Sequence, residues 1–376
     1  MNLPSQYLKK PAFIVLLVGI FIVGVFLGYF SLKLSRIFLK NNKTNDIGEQ
    51  VSPPPDFDPN APFNVLLLGY GGAGHDGGTL SDTLIVARIS PKEKQIALIS
   101  VPRDLWVAIP YDWENTKNYK INMAYAIGLD NNRYANKKPE FRGEVGGGNM
   151  SKHVVGQITG LPIKYFVAVN FDGFKSVIDT LGGIDVAVPK TFDDFFYPVK
   201  GLENETCGLT SEKIAEFHAK YSGFDLEKQF TCRYEHLHFE QGISHLNGET
   251  SLKFVRSRHS DTYGGDFSRS ERQYALLTAI KDKIVSLEGA KKFNPLLDGL
   301  IESVRTDLDA NGVKGIFDLI GNPKDYKFSQ IHLTEDNVLI QSTSSDGQYI
   351  LIPKEGINKW EQIKKYISEQ LAIVKE

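Results

Sequence analysis

The stretch Val255–Gln273, VRSRHSDTYGGDFSRSERQ, sets Arg256, Arg258, Arg269 and Arg272 around a pair of glycines, with Asp261, Asp266 and Glu271 between them. Planar guanidinium forks match phosphoryl oxygens better than lysines do, so the cluster reads first as an anion site. Taken as a strand, Arg256 and Arg258 point to one face, because side chains two apart share a side. Arg269, Arg272 and Gln273 then fall in the first turn of the following helix, whose backbone N–H groups also attract anions. The competing reading is a salt-bridge network with the interleaved carboxylates.

Two other polar clusters stand at the ends of apolar runs. GYGGAGHDGGTLSDT (Gly69–Thr83) is rich in glycine, yet it carries no GK[ST] and no G-x-G-x-x-G leading into a helix. Walker-type and dinucleotide-type phosphate loops are therefore excluded. Its specific feature is Asp82, just ahead of a buried strand, where a carboxylate can hold a hard cation or simply cap a turn. SVPRDLW (Ser100–Trp106) places Arg103 beside Asp104. In an extended segment these neighbours point to opposite sides and do not pair.

The elements that must position these residues read as α/β. FNVLLLG (Phe63–Gly69) is an unbroken apolar run, as expected of a strand buried on both faces. DTLIVARIS and QIALISVP, joined by PKEK, predict a hairpin. KINMAYAIGL and GNMSKHVVGQITGL have helical spacing, with Asn149 or Ser151 as a cap of the second. IKYFVAVN predicts a strand, FDGFKSVIDTLGG a helix closed by glycines, and IDVAVP a further strand. The segment from Asp266 places Tyr274, Leu277, Ile280, Ile284 and Leu287 near one helical face. NVLIQS, YILIP and NKWEQIKKYISEQLAIV complete the pattern as strand, strand, helix. The expected fold is a three-layer α-β-α domain with a mixed central sheet, preceded by one transmembrane helix.

That helix is expected over residues 11–32, PAFIVLLVGIFIVGVFLGYFSL, which has no charged residue and is long enough to span a bilayer. No small-residue cleavage site follows, so it reads as an uncleaved anchor behind a short tail, 1–10. Residues 33–62 carry a Pro-Pro-Pro run and read as a linker, and 63–376 as the folded domain. Lys33, Arg36, Lys40 and Lys43 follow the span, and by the positive-inside rule alone they would place the domain in the cytoplasm. A net charge of −2 over 376 residues is not that of a nucleic-acid binder. Any anion site is local.

In order and spacing, NVLLLG, SDTLIVARI, ISVPRDLWV, KINMAYAIG, VNFDGFKSVIDTLGGIDV, LNGETSLKFVRSR and GDFSRSERQ resemble the LytR-CpsA-Psr family over nearly all of Phe63–Ile284. The family consists of anchored extracytoplasmic enzymes that move glycopolymers from a polyprenyl-pyrophosphate carrier to the cell wall. The resemblance implies that Asp82 binds Mg²⁺ (or Mn²⁺) and that Arg103 meets the pyrophosphate. It implies that Arg256, Arg258, Asp266, Arg269 and Gln273 line the pyrophosphate pocket, with Arg272 counted among the same ligands and Lys120 and Asn122 in an accompanying segment. Asp104 or Asp266 would orient or deprotonate the attacking hydroxyl. Many members carry a second metal-binding aspartate where this chain has Gly71; Asp76, or His75, is the replacement from the longer loop.

The implied partners are a polyprenyl-pyrophosphate-linked glycan, peptidoglycan and membrane lipid, with no nucleic acid. The implied location is the cell membrane, in a single pass, with the N-terminus inside and the domain outside, which overrides the basic flank. A groove near Ala275–Ile284 would take the polyprenyl tail. Two alternatives remain open at this level: a phosphatase or pyrophosphatase of the lipid carrier, and a non-enzymatic lipid-binding regulator. The stretch 190–245 is longer than the family connection. It holds Cys207 and Cys232, which are compatible with a disulfide. His236, His238 and His245 there read as alternating exposed strand residues rather than a metal cluster.

Overall fold

The computed structural model describes residues 58, 60–73, 77–286, 304–309, 312, 316, 319–320 and 325–373. The expected tail, anchor and almost all of the linker lie outside the described residues, as do His75 and Asp76. Among the described residues, no helix is long and apolar enough to cross a membrane.

The chain opens with β1 (Phe63–Tyr70), β2 (Ser81–Ser90) and β3 (Gln95–Ser100), followed by a small hairpin, β4 (Trp106–Pro110) and β5 (Thr116–Lys120). Two helices come next, α1 (Met123–Leu129) and α2 (Gly146–Thr159), then β6 (Ile163–Asn170), α3 (Phe171–Thr180) and β7 (Ile184–Val188). The 190–245 stretch is folded: β8 (Phe192–Pro198), α4 (Ser211–Lys220), α5 (Gly223–Glu227), β9 (Tyr234–Phe239) and the start of β10 (Gly242–Leu246). After it stand α6 (Gly248–Arg256), α7 (Gly265–Ser286), β11 (Val304–Thr306), β12 (Lys327–His332), β13 (Leu339–Thr343), β14 (Tyr349–Pro353) and α8 (Glu361–Ile373).

The central sheet has the order β11-β6-β1-β2-β3-β12. β1 is parallel to β6, β3 is parallel to β12, and the remaining pairings are antiparallel, so the sheet is mixed. Alternation along β1 explains its unbroken apolar run. Val65 and Leu67 face one core with α3, α6 and α7, while Leu66 and Leu68 face a second core with α1, α2 and α8. Both faces are covered, as expected of the three-layer arrangement. Full burial of a side chain such as Leu66, Ile99 or Phe166 is worth roughly 1.5–3 kcal/mol.

Three local expectations differ. Helix α2 begins at Gly146, and neither Asn149 nor Ser151 caps it; the Ser151 hydroxyl donates to the Gly147 carbonyl at 2.9 Å. A glycine triplet is helical here because nothing larger fits. A Cβ on Gly148 would lie 2.2 Å from the Phe166 ring, and one on Gly146 would lie 2.6 Å from the Phe141 carbonyl. Second, Arg256 ends helix α6 and is not in a strand; the Asn247 side chain caps that helix, accepting from the Thr250 N–H at 2.9 Å. Third, Arg103 and Asp104 lie in a turn, which brings Arg103 Nε to 3.4 Å from Asp104 Oδ2.

Lys137 is fully buried and closes the end of α1, donating to the carbonyls of Ile127 (2.6 Å), Gly128 (2.7 Å) and Asp130 (3.1 Å). Burial pushes its pKa down to about 8. Lys137→Met should lower unfolding free energy by about 3 kcal/mol, because it leaves buried carbonyls without donors. Urea unfolding checks this; a loss below 1 kcal/mol would mean that water replaces the ammonium.

Candidate functional site

Strands β1, β3, β6 and β12 all run in the same direction, so their carboxyl ends meet at one edge of the sheet, together with the start of the antiparallel β2. Ligands of open α/β sheets bind at such an edge. Asp82 and Thr83 open β2 there, and the turn after β3 brings Arg103 onto Asp82 as an ion pair. Asp104, 8 % exposed, accepts from Lys120 Nζ at 2.7 Å and braces Arg103 from the other side. Asn122 acts through its backbone. Its carbonyl accepts from Ser81 and its N–H donates to the Arg103 carbonyl at 3.3 Å, tying the Arg103 turn to the start of β2.

The arginines come from the other side of the edge. Arg256, at the end of α6, lies over the Phe171 ring with its guanidinium carbon 4.5 Å from the centroid, and it donates to the Tyr197 hydroxyl at 3.2 Å. Arg258 follows in an extended segment pinned by Asp194, which is fully buried in β8. Asp194 accepts from the Ser257 hydroxyl (2.7 Å) and from the N–H groups of Arg258 (3.0 Å), His259 (3.1 Å) and Phe196 (2.9 Å). Arg269 and Gln273 are four apart on α7 and share its cleft-facing side, where Gln273 donates to the Thr83 hydroxyl at 3.3 Å.

Two spaces meet at these residues. One is a cavity of about 260 Å³ reaching inward between β6, α3, α6 and β8, walled by Val167, Val169, Phe171, Phe174, Phe196, Leu252, Val255 and Leu276. The other is a cleft of about 650 Å³ opening outward past Asp104, Lys120, His332, Glu335 and Tyr349. Asp82, Thr83, Arg103, Arg258, His259, Arg269 and Gln273 line both and form the neck between them. An apolar chamber, a cationic neck and a polar mouth, in that order, would fit a lipid with a phosphate-linked head.

The arginines expected from sequence therefore separate. Arg103, Arg256, Arg258 and Arg269 line the inner cavity with Asp82 and Gln273, and Lys120 and Asp104 line only the outer cleft. Arg272 lines neither. It is completely buried and donates to the carbonyls of Phe254 (2.9 Å), Tyr263 (2.6 Å) and Ser257, with Phe192 under its guanidinium at 4.8 Å. Burial pushes its pKa down to about 10, so it remains a cation and clamps the loop that carries Arg258. The Asp266 side chain lies outside the described residues. Gly71 is buried at the end of β1, and its carbonyl accepts from the Phe171 N–H at 3.4 Å. Of the carboxylates interleaved with the arginines, Glu271 accepts from the Tyr263 hydroxyl at 2.7 Å and Asp261 is exposed. From the α7 segment expected to form a tail groove, Leu276 lines the cavity; most of the apolar wall comes from elsewhere.

Asp194 and His259 were not anticipated from the sequence. Asp194 is hidden in an aromatic run, TFDDFFYP, with no neighbouring signal. His259 stands directly after the arginine pair, which could have flagged it. Its ring stacks on Phe224 of α5 at 3.8 Å, and desolvation pushes its pKa down. The 190–245 stretch thus reaches the neck through β8 and α5, and Cys207 and Cys232 are disulfide-bonded within it. His236 and His238 both contact Asp193, while His245 contacts Asp185 on a different sheet. Among the described residues, no group of three or more His, Cys, Asp or Glu is placed to hold a metal.

Fold and site define an α/β protein with an amphipathic, arginine-lined crevice at a sheet edge. The model of the LytR_cpsA_psr family matches residues 29–365, and the chain belongs to that family. A Bacillus subtilis relative, the polyisoprenyl-teichoic acid–peptidoglycan teichoic acid transferase TagV, is 31% identical over 250 residues, covering 66% of this chain and 50% of TagV. The Bacillus anthracis transferase TagU is 30% identical over 288 residues, covering 76% of this chain and 71% of its own. The chain spans about half the length of TagV and 64% of the Enterococcus faecalis TagU that it also matches. The crystal structure of B. subtilis TagV superposes with a TM-score of 0.52 at 25% identity, covering 83% of this chain and 98% of that one. A structure of TagT bound to LI-WTA shares the fold, with a TM-score of 0.50 at 24% identity and coverage of 86% and 97%.

Proposed function

We propose that this protein transfers a glycopolymer from a polyprenyl-pyrophosphate carrier to a peptidoglycan hydroxyl, as a membrane-anchored enzyme whose domain lies outside the cytoplasm. The observation that carries the reading is the cationic neck between an apolar chamber and a polar mouth. In it the polyprenyl chain enters the chamber, the pyrophosphate rests on Arg103, Arg256, Arg258 and Arg269, and the glycan leaves through the cleft. The named relatives, teichoic acid transferases to peptidoglycan, support the donor and acceptor classes. The disulfide supports an oxidising compartment.

The acceptor oxygen attacks the glycan-proximal phosphorus and forms the new P–O bond. The bond from that phosphorus to the bridging oxygen breaks, and polyprenyl phosphate leaves. Charge gathers on the bridging oxygen during the displacement, and the arginine forks are already in place to stabilise it. Asp266 or Asp104 is the proposed acceptor of the hydroxyl proton; Asp104 also accepts from Lys120 and pairs with Arg103.

The donors at the neck fit Mg²⁺ (or Mn²⁺). Two carboxylates, Asp82 and Asp194, line the cavity among the described residues, and Asp194 already accepts from the Ser257 hydroxyl and three backbone N–H groups. One or two carboxylates completed by substrate phosphates are the usual protein share of a Mg²⁺ site. Asp82 would hold the ion, with Asp76 proposed as a second ligand. When bound, it supplies charge neutralisation at the leaving oxygen.

Arg256→Ala and Arg258→Ala should each weaken binding of a polyprenyl-pyrophosphate analogue about 10- to 100-fold, the equivalent of one lost charge-assisted contact. Incubating the full chain with lipid-linked glycan, with and without peptidoglycan, tests the reaction itself. Acceptor-dependent phosphodiester formation is the expected result. Cleavage without acceptor would make the protein a carrier hydrolase, and binding without turnover would make it a regulator.

A further inference from the structure

We propose that the outer wall of the cleft, formed by Glu335, Asp336 and Tyr349, is the binding subsite for the acceptor, a hydroxyl-rich saccharide without phosphate. The proposal rests on the transfer reading above. If lipid and pyrophosphate fill the chamber and the neck, the attacking hydroxyl must arrive through the outer cleft. With about 650 Å³ of space, the cleft is the larger of the two.

Its charge is divided. Arg103, Lys120, Arg258 and Arg269 line the cleft together with Asp82 and Asp104, which pair with Arg103 and Lys120. Glu335 and Asp336 line it as exposed carboxylates, with no cation paired to them among the ion pairs described. A phosphate-bearing chain is attracted to the arginines and repelled by Glu335 and Asp336. A neutral sugar meets the reverse: ionised carboxylates only accept hydrogen bonds, and sugar hydroxyls donate them. Tyr349, 46% exposed at the start of β14, adds an aromatic face beside a polar tip.

The wall is preorganised. The turn after β12 is held by Asn337, whose side chain accepts from the Thr334 N–H at 2.9 Å and donates to the His332 carbonyl at 2.9 Å. Glu335 is oriented by Gln341 at 3.0 Å and by the Tyr349 hydroxyl at 3.4 Å. Side chains held this way lose little freedom when a ligand docks.

The test uses the full chain in detergent micelles. Binding of a soluble peptidoglycan glycan fragment is measured without any lipid donor, and transfer kinetics are then measured against both substrates. Glu335→Gln with Asp336→Asn, and separately Tyr349→Ala, should weaken fragment binding and raise the acceptor KM at least about tenfold, leaving carrier affinity unchanged; Tyr349→Phe should retain most of the binding. Unchanged fragment binding in the variants overturns the proposal, as does a loss of carrier affinity. Capture of a glycerol-phosphate oligomer that the same substitutions abolish would also overturn it, since the wall would then hold the donor chain. Fragment binding is read without turnover, so its failure is distinguishable from failure of the transfer reaction.

Discussion

Asp82→Asn is expected to lower metal-dependent transfer by roughly two to three orders of magnitude, the usual loss when one preorganised stabiliser of transition-state charge is removed. The substitution keeps the shape of the side chain and removes only its charge. Without a cation, Asp82 would repel a pyrophosphate held by the surrounding arginines. A cation held by Asp82 would offset that repulsion by supplying positive charge beside the phosphate. Stability should hardly change, because the Asp82–Arg103 pair is partly exposed, at 35% and 27%, and such pairs contribute about 0–1 kcal/mol. Transfer assayed with and without a chelator, beside a thermal melt, checks both parts. Full activity of Asp82→Asn in the presence of chelator would reduce Asp82 to a partner of Arg103.

Arg272→Met should cost about 3–5 kcal/mol of stability, the scale for removing one partner from a buried charged network. The carbonyls of Phe254, Ser257 and Tyr263 would lose their common donor, and the loop bearing Arg258 would lose its clamp. Arg272→Lys should fail to restore it, because an ammonium cannot reproduce a planar fork that spans three carbonyls. Arg258→Ala, at the neck, should instead leave stability within about 1 kcal/mol while carrier affinity falls. Urea unfolding and carrier binding on both variants separate the roles. An Arg272→Lys protein with parental stability and weakened carrier binding would make Arg272 a ligand after all.

Residue type and order alone were enough to single out most of the charged residues that line the crevice. The arginines around the glycine pair, Asp82 ahead of a buried strand and Arg103 after the next one carry a charge pattern that few structural roles require. The unbroken run in β1 and the β2–β3 hairpin were equally legible, because apolar continuity and turn residues are local signals. Helix starts were less so. The glycines of α2 resemble a loop until Phe166 and Phe141 are packed against them, and α6 resembles a strand until the Asn247 cap is recognised.

What each arginine does was decided only in three dimensions. Arg269, Arg272 and Gln273 look equivalent along the chain. Residues 269 and 273 share one helical face, whereas 272 is turned about 80° from their midline, a little under a quarter of a turn. Which face meets the neck is set by Ala275, Leu276, Ala279 and Ile280 packing into the core shared with the sheet. The same holds for Asp194, which reaches the Arg258 loop from β8 across a separation of 64 residues. Spacing can reveal a face within one element, but a buried carboxylate from another element joins it only when long-range packing removes both from water and leaves each the other's best hydrogen-bonding partner.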